Sequence, residues 1–168
     1  MAKLLYAFSC SIDGFIAGPG GDMSWLTPFA GPPPVDLTAR IGALLVGRRT
    51  YDGDDPHRGG PGGGKAFGGG WEGPQFVLTH RNAQPAPGVT FLGDLPSAVS
   101  AAKAAAGEKY VNVLGADVAR QCLEAGVLDE VLALPVPVLL GDGVRVFSRV
   151  GPPVRLSSVG PCWYRVDS

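Results

Sequence analysis

Leu44-Leu45-Val46-Gly47-Arg48-Arg49-Thr50 is an apolar run that stops at a glycine and continues into two guanidinium groups and a hydroxyl. A short apolar run bounded in this way reads as a buried strand, and burial on both faces is the habit of a parallel sheet covered by helices. Glycine at the strand end lets a ligand come close to the backbone, and a helix starting there offers free N–H groups to an anion. The arginines add forked, permanently charged donors that suit phosphate oxygens. The plainer alternative is a strand end with two solvated arginines. Which reading holds depends on whether other strands end in the same way.

Two of them do. Phe76-Val77-Leu78 runs into Thr79-His80-Arg81, and Tyr110-Val111-Asn112-Val113-Leu114 runs into Gly115-Ala116-Asp117-Val118. In an open α/β sheet, ligands sit outside the carboxyl ends of the strands, so the three segments fit one cleft. Around them the sequence predicts strands over Lys3–Ser9, Phe15–Ala17 and Val89–Leu92 and helices over Val35–Ile41, Pro96–Ala106 and Ala116–Ala125, the last closed by Gly126. From Val131 to Leu140 the chain is apolar but interrupted by Pro135 and Pro137, which predicts an edge strand or a break. Val144–Phe147 and Trp163–Val166 are candidate antiparallel strands, with Val154–Val159 between them. This succession predicts one α/β domain over residues 1–168, with a mixed, mostly parallel sheet flanked by helices and antiparallel strands at its C-terminal end.

Composition narrows the function. A chain of 168 residues with 45% hydrophobic content is long enough for one core. Its net charge of −1 offers no basic field for nucleic acid or an acidic membrane surface. No apolar stretch approaches membrane-spanning length. Lys3 and the apolar residues after it meet Ser11-Ile12-Asp13-Gly14 with no cleavage pattern, so a cytoplasmic location is expected. Cys10, Cys122 and Cys162 are odd in number and widely spaced, and His57 has no partner at metal-site spacing; no metal is expected. Twenty-six glycines and sixteen prolines, a quarter of the chain, must sit in loops. Gly53–Pro74 holds three glycine clusters and reads as one long mobile loop, a lid whose Phe67 and Trp71 would close over a substrate. Trp25 and Trp71 would stack on a flat heterocycle, or else fill the core.

Taken in order, Ser11-Ile12-Asp13-Gly14-Phe15-Ile16-Ala17-Gly18, Leu45–Tyr51, Phe76–Arg81, Gly115–Gln121, Ala125–Glu130 and Pro137–Gly141 resemble the dihydrofolate reductase-like family. The resemblance covers almost the whole chain. It is closest to stand-alone proteins similar to the C-terminal reductase domain of the riboflavin-biosynthesis protein RibD. It implies an NADPH-dependent oxidoreductase that reduces a C=N or C=O bond of a small heterocyclic substrate; an NADPH-binding module without turnover is the alternative. Carried over, Gly47, Arg48, Arg49 and Thr50 hold cofactor phosphates, and Leu78, Thr79, His80 and Arg81 flank the adenosine 2′-phosphate. Leu114, Gly115, Ala116, Asp117 and Val118 cradle the pyrophosphate, while Ser9, Ile16 and Ala17 border the nicotinamide. Similar proteins carry Gly-Gly before Ala-Asp-Val, where this chain reads Leu114-Gly115-Ala116, so the backbone geometry of a glycine pair does not carry over directly.

Such chemistry places hydride on carbon and a proton on the heteroatom. Asp13 and Asp36 are the candidate catalytic carboxylates. Each has a plainer reading, Asp13 as half of an Asp-Gly turn and Asp36 as a carboxylate favoured at a helix N-terminus. Asp52, Asp54 and Asp55 read as solvated loop charges. Related proteins pair, and the apolar edge from Val131 to Leu140 would be covered in a homodimer.

Overall fold

The computed structural model describes residues 1–31, 35–53, 55–56 and 64–168. Ten strands and four helices follow one another along the described chain: β1 (Leu4–Cys10), β2 (Phe15–Ala17), α1 (Val35–Arg40), β3 (Ile41–Gly47), α2 (Arg48–Asp52), β4 (Gln75–Leu78), β5 (Val89–Leu92), α3 (Leu95–Ala106), β6 (Tyr110–Leu114), α4 (Ala116–Glu124), β7 (Glu130–Pro135), β8 (Val144–Arg145), β9 (Leu156–Gly160) and β10 (Trp163–Val166). Eight strands form one sheet in the order β5-β4-β3-β6-β1-β7-β10-β9, parallel from β5 to β7 and antiparallel at β10 and β9. The mixed α/β architecture expected from the sequence is the observed one.

Alternation along the strands decides which helix goes where. Leu4, Tyr6, Ala43, Leu45, Val111 and Val113 face α3 and α4, packing on Ala98, Ala102, Val118 and Cys122. The intervening Leu5, Ala7, Leu44, Val46 and Val77 face the other side, where Leu37 of α1 and Trp71 cover them. Strands apolar on both faces are what a sheet sandwiched between two layers requires. Asp94 caps α3, its Oδ1 accepting the Ser97 N–H at 2.8 Å, and Gly107 at φ 64° stops the helix.

Three sequence expectations change. β7 is interior, lying between β1 and β10, and its Pro135 is the last residue of the strand. Proline here ends a central strand without costing a ladder bond inside it, so Val131–Pro135 lies between two neighbouring strands and offers no free edge, while Leu139 beyond it is exposed. β8 pairs with β2 in a separate two-stranded sheet, while Trp163–Val166 pairs with β7 and β9. The expected mobile loop is partly built: Ala66–Gly69 form a 3₁₀ turn, and Trp71 is 9% exposed, with its Nε1 donating to the Ile41 carbonyl at 3.0 Å. Within that expected loop, residue 54 and residues 57–63 with His57 lie outside the described residues, as do residues 32–34.

At the amino ends of the parallel strands a single carboxylate ties the sheet together. Glu130, 4% exposed, accepts from Lys3 Nζ at 3.0 Å, Tyr110 OH at 2.9 Å and Trp163 Nε1 at 2.7 Å. The Arg40 guanidinium stacks over the Tyr110 and Trp163 rings. Burial alone would raise the Glu130 pKa, but the three donors outweigh it and hold the carboxyl below its ordinary 4.5. A lowered carboxylate pKa stabilises the fold above the unfolded value and loses that contribution as pH falls through the folded one. Glu130→Gln should therefore lower stability by roughly 1.5–3 kcal/mol at neutral pH. In urea titrations the difference from the parent should shrink as pH drops below about 4.5.

Candidate active site

Because the parallel strands run one way, Cys10, Gly47, Leu78, Leu114 and Pro135 all end on one edge of the sheet. The register sets Gly47 beside Leu78 and Val46 beside Leu114. α2 starts directly after Gly47 and α4 directly after Gly115, and their first turns meet across the β3–β6 boundary. A Cβ on Gly47 would lie 3.6 Å from Val118 Cγ1, and one on Gly115 would lie 2.6 Å from Thr50 Oγ1. Gly115 also sits at φ 110°, a conformation that strains any L side chain. All described peptide bonds are trans, including the one joining Leu114 to Gly115. One glycine therefore leaves the Ala116, Asp117 and Val118 N–H groups at the mouth of α4, before the first helical bond from Ala119 N to Gly115 O.

Around this backbone cradle the charges are organised. Arg48, its side chain 20% exposed, donates from Nε to Asp52 Oδ2, while its Nη1 is buried with no partner. A buried donor without an acceptor costs about 1–3 kcal/mol, so this guanidinium edge is suited to an incoming anion. From the end of β4, Thr79 Oγ1 accepts the Arg81 N–H at 3.1 Å, and Arg81 Nη2 lies 3.7 Å from the same Asp52 oxygen. His80 is exposed beside it. Asp52, which the sequence read as a solvated loop charge, thus links the ends of two strands. Asp117 is held well below the usual carboxylate range, first by the hydrogen bond from Arg120, against the opposing effect of burial, then by Gln121 and by the charges of Arg120 and Arg49. Its side chain is engaged on its own helix, leaving the backbone N–H as what this segment offers a ligand.

Next to the cradle the sheet opens. β1 is in register with β6 only at Leu4 and Leu5, yet it pairs with β7 as far as Cys10, and β6 pairs with β3 as far as Leu114. Above Leu5 the two strands part. The Asn112 side chain bridges the start of the gap, its Oδ1 accepting the Ala7 N–H at 3.2 Å and its Nδ2 buried without a partner. By strand alternation the Ser9 N–H, two residues further, faces the same gap. Asn112 was missed from sequence because an amide inside an apolar strand gives no signal of the split it fills. Ile16 and Ala17 of β2 lie across the mouth of β1, where the turn is locked by bonds from Ile12 N to Val138 O, Val136 N to Cys10 O and Val146 N to Gly14 O.

The remaining candidates separate. Asp13 binds the chain rather than waiting for a substrate: its carboxylate accepts from Leu140 N at 3.1 Å and Gly141 N at 2.7 Å. Hydrogen bonds from the Ser11 side chain first, then from these amides, hold its pKa down to about 2, so at neutral pH it has no proton to give. Asp36 is exposed in the first turn of α1. Trp71 packs at Ile41, the amino end of β3, and Phe67 joins the same cluster with φ 51°. Trp71 is thus a buried residue at the amino end of β3, while Phe67 is partly buried against the same cluster. Trp25 is partly buried in the 3₁₀ turn Ser24–Phe29, its Nε1 buried and unpartnered. No cluster of three or more His, Cys, Asp or Glu able to hold a metal exists among the described residues.

The RibD C-terminal domain model matches residues 2–164. The chain belongs to the RibD C-terminal domain family. A protein from Shewanella sp. PV-4 assigned to riboflavin biosynthesis is 23% identical, with each chain covered completely and a TM-score of 0.72. The diaminohydroxyphosphoribosylaminopyrimidine deaminase/5-amino-6-(5-phosphoribosylamino)uracil reductase of Thermotoga maritima is 20% identical over 98% of this chain, with a TM-score of 0.60; the match covers 55% of that larger protein. Dihydrofolate reductase from Enterococcus faecalis, solved with NADP(H), is 16% identical over 99% of this chain and 97% of its own, with a TM-score of 0.58. No curated protein matches the sequence. The solved structures establish the shared fold, and membership of the RibD C-terminal domain family supports an oxidoreductase.

If Asp13 is an anchor, Asp13→Ala should speed hydrogen exchange at the Leu140 and Gly141 amides while protection in β3 and β6 is unchanged. In the parent that protection should persist down to acidic pH and fade only as pH falls toward about 2, where the carboxylate takes up its proton.

Proposed function

We propose that the chain is an NADPH-dependent reductase of a small, planar heterocyclic or carbonyl compound, acting on a C=N or C=O bond in the cytoplasm. The observation that carries this reading is the buried, unpartnered Arg48 Nη1 beside the Gly115 cradle, where a Cβ would intrude. A dinucleotide fits what is offered there: backbone N–H groups at α4 for a pyrophosphate, and Arg48, Arg81, Thr79 and the exposed His80 for a phosphate monoester. The end of the β1–β6 ladder at Leu5 supports seating a flat ring between Ser9 and Gly115, with Ile16 and Ala17 at its border. When bound, the cofactor supplies the hydride. The chain's own work is to hold the ring in the gap, to exclude water with the β2 hairpin, and to deliver a proton to the heteroatom. With Asp13 tied to residues 140 and 141, Asp36 is the carboxylate left for substrate binding and proton delivery, and Trp25 is the aromatic left for the substrate.

The reading includes a homodimer, supported by the outer strand β9. It is the outermost strand of the sheet and its apolar residues are exposed, Leu156 at 45% and Val159 at 44%. A second copy joined across a two-fold axis would cover that edge. Sedimentation at micromolar concentration should show about twice the 17.3 kDa monomer mass, and a lone monomer would remove this part of the reading.

Cofactor choice is the direct test. Tryptophan fluorescence titrations should give a Kd for NADPH roughly tenfold to a hundredfold below that for NADH, the equivalent of about 1.5–3 kcal/mol for a charge-assisted contact. Gly115→Val should remain folded but lose NADPH affinity. The NADPH-saturated protein should then oxidise its cofactor in the presence of at least one compound from panels of pteridines, pyrimidines and quinones. Equal affinity for both cofactors would refute the reading; tight NADPH binding with no oxidation across the panels would leave a binding module in place of an enzyme.

A further inference from the structure

Asp52 is the last residue of α2, where unpaired helix carbonyls disfavour a negative charge. It is nonetheless held there by two arginines from different strand ends, accepting from Arg48 Nε and lying 3.7 Å from Arg81 Nη2. The Arg48 contact is an i,i+4 pair within α2, but Arg81 comes from the end of another strand, so Asp52 ties two arginines together across the sheet.

We infer that Asp52 is a positioning residue that fixes the Arg48 guanidinium for a phosphate monoester, and so sets the preference for a 2′-phosphorylated over an unphosphorylated adenine nucleotide. The inference rests on the cofactor reading above. An arginine side chain is long and free to rotate, and its selectivity depends on presenting the planar fork in one orientation. Holding Nε at the helix end turns the guanidinium plane so that Nη1 is buried without a partner, an edge committed to an acceptor that the described residues do not supply. A phosphate monoester supplies that acceptor and has further oxygens for Arg81. Arg81 is mostly exposed, and its 3.7 Å contact with Asp52 is long enough to exchange for a shorter one. A ribose hydroxyl in the same place brings neither the charge nor the second acceptor, so it gains little from the orientation.

Asp52 also repels the phosphate it prepares for. That charge is 44% exposed and therefore screened by water, and it acts on the phosphate across the guanidinium it neutralises. The hydrogen bond to Nε acts directly on the geometry of Arg48. Orientation therefore outweighs repulsion, which fixes the sign of the test.

Isothermal titration of the full chain with 2′,5′-ADP and with 5′-AMP separates the two effects. Asp52→Ala removes both the charge and the acceptor; Asp52→Asn keeps an oxygen for Nε and removes only the charge. Expected results are a preference for 2′,5′-ADP in the parent and a loss of about fivefold or more for that ligand in Asp52→Ala, with 5′-AMP affinity within about twofold. Asp52→Asn should bind 2′,5′-ADP at least as tightly as the parent. Asp52→Ser, whose shorter hydroxyl cannot reach Nε in the same way, should follow Asp52→Ala and serves if the alanine variant fails to fold. An alanine variant that binds 2′,5′-ADP as tightly as the parent or tighter overturns the inference, as does an equal loss for both nucleotides. A parent protein with no preference between the two overturns the cofactor reading itself.

Discussion

β1 and β6 are in register at two residue pairs only, Leu4 with Val111 and Leu5 with Asn112, and the rest of the site follows from that short ladder. Each strand keeps its other neighbour to its full length, so the sheet stays whole at one edge and forks at the other. The fork leaves backbone donors and acceptors without strand partners on both sides of the gap, in the middle of an otherwise buried sheet. One of them, the Ala7 N–H, is satisfied by the Asn112 side chain, which acts as the wedge at the base. Pairing the strands one step further would close this opening.

The two edges of the sheet treat polar groups in opposite ways. At the amino ends, the Glu130 oxygens receive Lys3, Tyr110 and Trp163, a cluster drawn from β6, β7, β10 and the start of the chain. At the carboxyl ends, Arg48 Nη1 and Asn112 Nδ2 stay buried and unpaired, and Gly115 holds a backbone conformation available at little cost only without a side chain. A satisfied cluster of this kind rigidifies, whereas unsatisfied donors store free energy that a ligand can release. Stability is concentrated at one edge and binding capacity at the other, as in open α/β sheets generally.

Loop connections decide which candidate groups reach the cleft. The turn after β1 is fixed by Asp13 to residues 140 and 141, so a carboxylate beside the expected ring is spent on scaffolding. The segment after α2 returns through Trp71 to the amino end of β3, which carries Trp71 away from the strand end it follows in sequence. Asp52 moves the other way, from an apparent loop charge to the link between Arg48 and Arg81.

The sequence alone determined the mixed α/β architecture and which strand ends share one edge of the sheet. Apolar runs of strand length ending in Gly47, Leu78 and Leu114 are local signals, and burial on both faces follows from their composition. Gly115 holds a φ of 110°, a conformation that strains any L side chain. Only the tertiary structure decided that β7 is interior despite its prolines, because a strand's neighbours are set by long-range pairing and Pro135 falls where the ladder ends. It alone assigned Asp13, Asp52, Trp71 and Asn112 their tasks, since a side chain's partner depends on residues distant in sequence: Leu140 for Asp13, Arg81 for Asp52, Ile41 for Trp71 and Ala7 for Asn112. Residue type and spacing carry the element and its direction, while the hydrogen-bond partner is fixed only when the chain has closed on itself.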